Sequence, residues 1–305
     1  MEILDAGLLT TVQDGGRRGW ARFGVPPSGP LDAVAFRAAN LLVGNAPGAA
    51  ALEITLTGPV LRLSRESLIA ICGATFDVWA GRLPVPTWHA VYVRAGQYVT
   101  FGQCRDGARA YLAISGGIAL APFLGSQSTY LKGGFGGLEG RALRPGDRLP
   151  LGPQPVREPV MAAGKTWPPE WRPPYSHNPT LRIVWGPQDT ASDDVARAAL
   201  TGEAYRVTPE ADRMGMRLEG PALVCQTAGE SVSDGLVTGS IQVPPNGRPI
   251  VMLADHQTTG GYPKIATVIQ ADLPLLAQCL PGASIHFKAV SLDEARQAYL
   301  DTFRR

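Results

Sequence analysis

The amino-acid sequence predicts a mainly β protein with a few helices, built from antiparallel strands. Short apolar runs rich in β-branched residues recur throughout the 305 residues. Turns that contain glycine or proline separate these runs about every ten residues, a spacing typical of all-β domains. The predicted strands include residues 68–72, 76–79, 91–94, 98–101, 110–114, 181–185, 250–253, 266–269 and 284–287.

Helices are predicted where apolar residues recur at helical spacing or where capping residues precede such a run. Residues 31–43 show this spacing, with Pro30 suited to the first turn and Gly44 as the stop signal. The other three predicted helices follow the capping residues Ser192, Asp272 and Ser291, and Ser291 forms a capping box with Glu294. Strands therefore outnumber helices in the predicted fold.

The chain divides near its middle at a proline-rich segment. Residues 153–179 contain many prolines and few periodic apolar residues, which predicts an extended linker or surface strap. We therefore predict one β domain at residues 1–152 and a second, with a C-terminal helix, at residues 180–305. Duplication of one β-barrel unit is the economical explanation for a repeated pattern. That pattern is Leu52-Glu53 with Gly58-Pro59 in the first half and Leu218-Glu219 with Gly220-Pro221 in the second.

Composition and charge indicate a folded globular protein that binds neither nucleic acid nor membranes. Apolar residues make up 45% of the chain, and 28 basic residues against 26 acidic ones give a net charge of +2. The basic residues are scattered rather than clustered. The N-terminus lacks the basic and apolar regions of a signal peptide, and no apolar run reaches the ~20 residues of a membrane span. We therefore expect a cytoplasmic protein.

Four cysteines, Cys72, Cys104, Cys225 and Cys279, lie far apart in the sequence and form no C-x-x-C pair. Most of them have apolar neighbours, which favours buried free thiols over a disulfide framework or a zinc site. The histidines show no metal-ligand spacing either. The sequence thus predicts no metal site in this chain.

The densest group of polar side chains is a loop at residues 255–264, with the sequence DHQTTGGYPK. Apolar runs precede and follow it, so we predict that two buried strands hold it. We predict Lys264 and Asp255 as catalytic residues, because charged groups in a glycine-rich loop between buried strands are costly to keep without a partner. The predicted substrate-binding residues of the loop are Gln257, Thr258, Thr259, Gly260, Gly261 and Tyr262. The alternative is a plain connection whose hydroxyls bond their own backbone.

Two further segments supply candidate substrate-binding residues. Asp212 and Arg213 are adjacent, and a surface ion pair is the alternative interpretation. Ser28 precedes, and Asp32 stands at the start of, a predicted helix whose N-terminus favours an anion. Helix capping by Ser28, with Asp32 interacting with the helix dipole, explains that pair at least as well.

A glycine-rich stretch at residues 133–137 lacks the Gly-Lys-Ser/Thr ending of a nucleotide-binding loop. It is better interpreted as a mobile flap. No serine-nucleophile elbow or dinucleotide fingerprint is present in the sequence. The chain therefore has no evident means of activating ATP by itself.

Several longer motifs resemble one known family. They are TTVQDGGR at residues 10–17, GVPPSGPLD at 24–32, NLLVGN at 40–45, LEIT at 52–55 and the polar loop at 255–264. The sequence resembles the biotin-dependent carboxyltransferase family. That family contains the C subunits of bacterial 5-oxoprolinases, the second allophanate-hydrolase-like half of urea carboxylase, and an antagonist of a sporulation-kinase inhibitor. The resemblance runs from about residue 9 to residue 287 and also covers the Asp-Arg-Met-Gly run that contains Arg213. This chain has His256 where the family usually has Arg.

The resemblance implies a fold of two cyclophilin-like antiparallel β-barrel domains and a non-autonomous enzyme subunit. The first implied function is that of the C subunit in an ATP-dependent 5-oxoprolinase, which converts 5-oxoproline to glutamate with a B-type and an A-type partner. ATP and magnesium would act in the assembled enzyme, and this chain alone would bind no cofactor. One alternative is carboxyl transfer to urea or a related amide from carboxybiotin on a separate protein. The other is a regulatory protein that binds a B-type kinase inhibitor.

Overall fold

The predicted mainly β fold is confirmed in the computed structural model, which describes residues 1–188, 194–225 and 232–304. The chain separates into two units. The first comprises Met1–Arg17 and Ser28–Arg172, and the second comprises Arg18–Pro27 and Pro173–Arg305. No helix of the described residues is long and apolar enough to cross a membrane.

The first unit contains eight strands and two α-helices in the described residues. In chain order they are β1 (Glu2–Asp5), β2 (Leu9–Gln13), α1 (Ala33–Leu42), β3 (Ala51–Thr55), β4 (Val60–Arg62), β5 (Ser67–Ala80), β6 (Leu83–Pro84), β7 (Ala90–Val93), β8 (Tyr98–Ile114) and α2 (Pro159–Ala162). All eight strands form one antiparallel sheet, a half-barrel with the order β1-β4-β8-β3-β2, in which β5 pairs with β6, β7 and β8. The long strands β5 and β8 pair along most of their length, and their inner residues are fully buried.

Helix α1 packs against β5 and β8, and its first turn differs from the prediction. Asp32 lies in an extended conformation and accepts a hydrogen bond from the Ala35 amide, so Asp32 is the N-cap and the proposed capping role of Ser28 is wrong. Gly44 follows the helix with a φ of 79°, a conformation that glycine adopts without strain and that ends the helix as predicted.

The second unit is a closed β-barrel with three helices. Its described elements are β9 (Thr180–Trp185), α3 (Asp194–Gly202), β10 (Tyr205–Val207), β11 (Gly215–Glu219), β12 (Asp234–Gly235), β13 (Ser240–Gln242), β14 (Ile250–Met252), β15 (Thr259–Gly260), β16 (Lys264–Val268), α4 (Leu273–Ala277), β17 (Ser284–Ala289) and α5 (Leu292–Phe303). The barrel order is β10-β11-β14-β13-β16-β9-β17, and β12 pairs only with β15 among these strands. Closure involves one parallel pair, β9 with β17, in an otherwise antiparallel arrangement.

The helix caps of the second unit follow the sequence in one case and depart from it in another. Ser291 and Glu294 form the predicted capping box at α5. Asp272 stands before α4, but its carboxylate binds the backbone amide and guanidinium of Arg182 instead of capping the helix. The predicted cap Ser192 lies outside the described residues.

The proline-rich segment is not a free linker over its first part. The Trp167 amide donates to Trp88, and the Ala90 amide donates to Lys165, so this part of the segment is hydrogen-bonded to the edge of the first sheet. Trp167 is 9% exposed, and the guanidinium of Arg172 lies over the Trp88 ring. Tryptophan burial and backbone bonding therefore attach residues up to 172 to the first unit.

The repeated sequence pattern corresponds to a repeated local pairing. Strand β3, which carries Leu52-Glu53, pairs with the strand before it and with the later strand β8. Strand β11, which carries Leu218-Glu219, likewise pairs with β10 before it and with the later β14. All four pairings are antiparallel, which supports the predicted duplication although the first sheet is open and the second is closed.

Candidate active site

The polar loop at residues 255–264 connects β14 to β16, as predicted, and additional contacts hold it in place. Thr259-Gly260 forms the two-residue strand β15, which pairs with Asp234-Gly235. The Leu236 amide donates to the Thr258 carbonyl and extends this ladder by one bond of 2.9 Å. Residues 258–260 of the loop therefore form a short antiparallel ladder with residues 234–236, which we call the 234–236 segment.

Lys264 stands where the loop enters β16, and the site centres on its ammonium group. Nζ donates to Asp234 Oδ2 at 2.5 Å and to the Gly235 carbonyl at 2.7 Å. The Lys264 side chain is 11% exposed and the Asp234 side chain is 58% exposed. The bond from Lys264, together with the Gly235 amide, lowers the pKa of Asp234, so the carboxylate is charged at neutral pH. A buried cation here faces a carboxylate that is open to solvent.

Asp255 and Arg213, predicted as separate site residues, form a buried ion pair. Arg213 Nε lies 2.8 Å from Asp255 Oδ2, and Nη2 lies 3.1 Å from Oδ1. Their side chains are 4% and 6% exposed, so the alternative of a surface ion pair is wrong. The Asp255 amide also donates to the Arg213 carbonyl. Because both carboxylate oxygens face the guanidinium, this pair fixes the start of the loop.

The neighbours of this pair have local structural contacts. Asp212 is exposed, and its Oδ1 accepts hydrogen bonds from the amides of Met214 and Gly215, which stabilises the turn before β11.

His256 is 3% exposed, and Nδ1 lies 2.6 Å from the Gln257 carbonyl. Burial lowers the pKa of His256, although the Gln257 carbonyl and the charge of Asp255 oppose the shift. His256 is therefore neutral at pH 7 and provides no permanent positive charge in place of Arg.

The remaining predicted residues of the loop differ in accessibility. Thr258 is buried at 9% exposure, whereas Tyr262 is 43% exposed. Gln257 and Thr259 are exposed, and Gly260 and Gly261 are half-buried. An exposed phenol and exposed hydroxyl near a buried ammonium group give the loop the donors expected of an anion-binding surface.

Ser28 and Asp32 lie in the first unit, unlike the other predicted residues. The helix N-terminus beside them is already occupied, because Glu53 Oε2 accepts hydrogen bonds from the Leu31 amide and the Tyr111 hydroxyl, and that hydroxyl accepts from the Asp32 amide. With two buried carboxylates at this helix end, the geometry disfavours the predicted anion site there.

Ser28 itself is different, because its hydroxyl is buried and has no hydrogen-bond partner within the described residues. Its backbone has a φ of 52°, which is unusual for a residue other than glycine. Its role in substrate binding stays a prediction.

The glycine-rich flap predicted at residues 133–137 is packed in place. The Gly137 amide donates to the Gln127 carbonyl, and Tyr130 and Phe135 exchange backbone hydrogen bonds. The nearby hydroxyls of Ser126 and Ser128 bind the Asp14 carboxylate at 2.5 and 2.7 Å. These bonds explain the density of hydroxyls here without a ligand, and the mobile flap stays a prediction.

Three residues of the site were missed in the sequence, namely Asp234, Gln188 and Gln242. Gln188 Oε1 accepts from the Lys264 amide at 2.8 Å. Gln242 is 1% exposed and its Nε2 donates to the Tyr262 carbonyl at 3.1 Å. The Asp-Gly pair at 234–235 is a turn signal that could have drawn attention to Asp234. No local pattern marks the two glutamines, because strand pairing brings them to the loop.

Outside the polar loop, the described residues show fewer features that indicate a functional site. A cleft of about 620 Å³ in the first unit is lined by Met1, Glu2, Arg62, Leu63, Ser64, Gly96, Arg148, Leu149 and Pro150 and contains none of the predicted residues. No group of three or more His, Cys, Asp or Glu side chains within the described ranges is arranged to hold a metal ion. Cys72, Cys225 and Cys279 are buried, and Cys104 is half-buried.

Comparison with known proteins gives consistent matches over nearly the whole chain. Residues 23–289 match the family model of the carboxyltransferase domain, subdomain A and B. The chain is 42% identical to the C subunit of 5-oxoprolinase from Escherichia coli, covering 100% of this chain and 96% of that protein. It is 36% identical to the protein of the same name in Haemophilus influenzae, covering 100% and 98%. The crystal structure of urea amidolyase from K. lactis matches with a TM-score of 0.90 and 31% identity, over 97% of this chain and 19% of that one.

Proposed function

Because the chain belongs to the carboxyltransferase domain family, subdomain A and B, we propose that it works in the cytoplasm as the C subunit of a 5-oxoprolinase. The observation that carries the proposal is the end-to-end match to the Escherichia coli protein of that name, at 42% identity. A match over the full length of both chains supports a shared role better than a match to one domain of a larger protein, such as the urea amidolyase match, which covers 19% of that chain.

A protein named as a subunit works with others, so we propose two partners for this chain. One is a B-type subunit, the homologue of the first allophanate-hydrolase-like half, and the other is an A-type 5-oxoprolinase subunit. ATP with magnesium acts in this assembly, and the nucleotide site is supplied by a partner. In this proposal the present chain contributes substrate-binding groups and no cofactor.

The proposed reaction opens a cyclic amide. The lactam carbonyl of 5-oxoproline is a poor electrophile, so its oxygen first attacks the γ-phosphorus of ATP and ADP leaves. Water then adds to the activated carbon, and the ring C–N bond breaks with protonation of nitrogen to leave a γ-glutamyl phosphate. A second water hydrolyses this acyl phosphate and releases glutamate and inorganic phosphate. Throughout these steps the enzyme must hold the substrate carboxylate and a developing phosphate ester.

In this proposal Lys264 binds an anionic group, either the substrate carboxylate or the phosphate. Its ammonium group is largely buried, and its present partner Asp234 is exposed. An incoming anion can replace Asp234 without moving the buried cation, since the carboxylate that leaves becomes solvated. Asp255 then acts as a positioning residue through Arg213, which revises the catalytic role predicted for it, because both of its oxygens face the guanidinium.

A second candidate is carboxyl transfer from carboxybiotin, carried on a separate protein, to urea or a related amide. The structural match to urea amidolyase, with a TM-score of 0.90, favours it. Both candidates use a site that holds an anion beside an amide. The geometry of Lys264 suits either one.

A direct comparison of products separates the candidates. The chain is assembled with its B-type and A-type partners and supplied with ATP and magnesium. It then receives either 5-oxoproline, or urea with bicarbonate, a biotinylated carrier and a biotin carboxylase that carboxylates the carrier. We expect glutamate from 5-oxoproline and no allophanate from urea. Allophanate without glutamate would establish the carboxyltransferase instead, and binding of the B-type partner with neither product would favour the regulatory hypothesis.

A further inference from the structure

Gln242 lies directly across the barrel sheet from Lys264. The two residues are paired across the antiparallel strands β13 and β16. Residues paired in this way project from the same face of a sheet, with Cβ atoms about 5 Å apart. Gln242 therefore belongs to the same side of the barrel as the ammonium group on which the site centres.

The side-chain amide of Gln242 has a defined orientation. Its Nε2 donates to the Tyr262 carbonyl at 3.1 Å. A carbonyl oxygen can only accept, so the NH₂ group must face Tyr262 and Oε1 must point the other way. The hydrogen-bond network thus distinguishes the two ends of the amide.

Oε1 is an acceptor that the protein leaves unused. Among the described residues no donor binds it. Gln242 is 1% exposed as a whole, but Oε1 does not belong to the buried side-chain atoms that lack a hydrogen-bond partner, so water reaches it in the free protein. A ligand N–H at this point takes the place of that water.

The unused acceptor lies against the polar loop. A Cβ atom at Gly260 would stand 2.5 Å from Nε2 and 3.2 Å from Oε1 of Gln242, so a larger residue at this position would displace the amide. Gly260 pairs with Asp234, which binds Lys264. Gln242 therefore brings a hydrogen-bond acceptor, and Lys264 brings a cation, to the paired residues Gly260 and Asp234.

We propose that Gln242 Oε1 accepts a hydrogen bond from the ring N–H of a lactam substrate, while Lys264 binds an anionic group of the same substrate. This inference rests on the proposed function and deepens it. An oxygen that can only accept favours a cyclic amide with a free N–H and disfavours a ring that presents a lone pair at the same place. Gln242 is thus a specificity-determining residue.

The test compares two ligands on two proteins. One ligand is 5-oxoproline and the other is 5-oxotetrahydrofuran-2-carboxylate, in which a ring oxygen replaces the N–H. The assembled wild-type and Gln242→Met complexes are assayed for the Michaelis constant of the lactam and for the inhibition constant of the lactone. We expect the Michaelis constant to rise about tenfold in the variant, the size of one lost hydrogen bond, while lactone inhibition stays within about twofold or strengthens.

Two further variants separate recognition from stability. Gln278→Met removes another buried glutamine of the second unit, at 4% exposure, and should leave the ratio of lactam to lactone binding unchanged. Gln242→Leu removes the amide without adding a charge and should show the same selective loss of lactam binding, which decides the question if the Met variant does not fold.

The outcomes are distinct. Equal weakening of both ligands, or no change in either, in a folded Met or Leu variant would overturn the assignment of Gln242 while leaving the proposed function intact. A wild-type complex that does not hydrolyse 5-oxoproline would overturn the proposed function and this inference with it.

Discussion

Lys264 and Asp234 form an ion pair of unequal burial, with an Nζ to Oδ2 distance of 2.5 Å and side-chain exposures of 11% and 58%. A pair with one well-solvated partner adds little to stability, because water solvates the Asp234 carboxylate without Lys264. The ammonium group, by contrast, gains from any anion that reaches it. Because Asp234 is exposed and Lys264 is largely buried, a substrate anion can replace Asp234 beside the ammonium group.

Replacing Lys264 with Met tests this exchange. The side chain keeps much of its apolar volume and loses its charge, so the midpoint of thermal unfolding should change little. Turnover of the assembled complex should fall on the order of a hundredfold, the scale expected for one key electrostatic contact. Steady-state kinetics and a thermal melt of the same preparation provide the two measurements.

Lys288→Met is the matched control, since Lys288 is an exposed lysine on β17 of the same unit. It should leave turnover unchanged. Near-normal turnover of Lys264→Met would show that the polar loop is a structural connection.

The Asp255–Arg213 pair should matter for stability. Asp255→Asn removes the counter-charge of a buried guanidinium and should lower the free energy of unfolding by about 3 kcal/mol. The double variant Arg213→Met with Asp255→Leu removes both charges and should recover much of that loss. Urea unfolding followed by circular dichroism measures each variant.

The exposed pair of Arg248 and Glu219, 3.5 Å apart, gives the control for this comparison. Arg248→Met should change the unfolding midpoint little. If Asp255→Asn unfolds at the wild-type urea concentration but abolishes turnover, then Asp255 acts on the substrate directly and not through Arg213.

We expect His256 to make the folded protein less stable at acidic pH. Burial holds its pKa below the ordinary value of 6.5, so between the two pKa values the unfolded chain binds more protons than the folded one. The free energy of unfolding should therefore decrease as pH falls below 6.5, and this contribution should be constant above that value.

The His256→Gln variant should show a weaker decrease between pH 7.5 and 5.5, a window of about one unit on either side of the ordinary histidine pKa. The exposed His286→Gln variant should keep the wild-type dependence. Identical slopes for wild type and His256→Gln, measured by urea unfolding at each pH, would show that His256 does not contribute.

Ser28→Ala separates binding from folding. The hydroxyl has no hydrogen-bond partner within the described residues, so its removal should not lower the unfolding temperature. If the hydroxyl binds substrate, the Michaelis constant of the assembled complex should rise by about tenfold, the size of one hydrogen bond. An unchanged Michaelis constant would show that the Ser28 hydroxyl does not bind substrate.

The sequence predicted the parts of the fold that depend on local pattern. Apolar runs located the two strands around the polar loop, and the Ser291 capping box located α5, because these signals reside in a few neighbouring residues. The parallel pair of β9 and β17 was not predicted, since it joins segments about a hundred residues apart by strand register alone.

The sequence identified the polar loop and Lys264, but it did not identify the residues that lie against them in the fold. Lys264 stood out by its composition, but Asp234 and Gln242 reach it only through the ladder of β12 with β15 and the pairing of β13 with β16. Asp255 and Arg213 were assigned to the site because both are charged. Their burial against each other, 42 positions apart in the sequence, was not visible there.

The measurement that tests the central claim most directly is ATP-dependent hydrolysis of 5-oxoproline by this chain alone and by the chain with its B-type and A-type partners. We predict no glutamate from the chain alone, because its sequence has no nucleotide-binding signature, and steady production of glutamate once both partners are added. Sustained turnover by the chain alone would contradict its role as a non-autonomous subunit, and absence of turnover in an intact assembly would contradict the assignment as the C subunit of a 5-oxoprolinase.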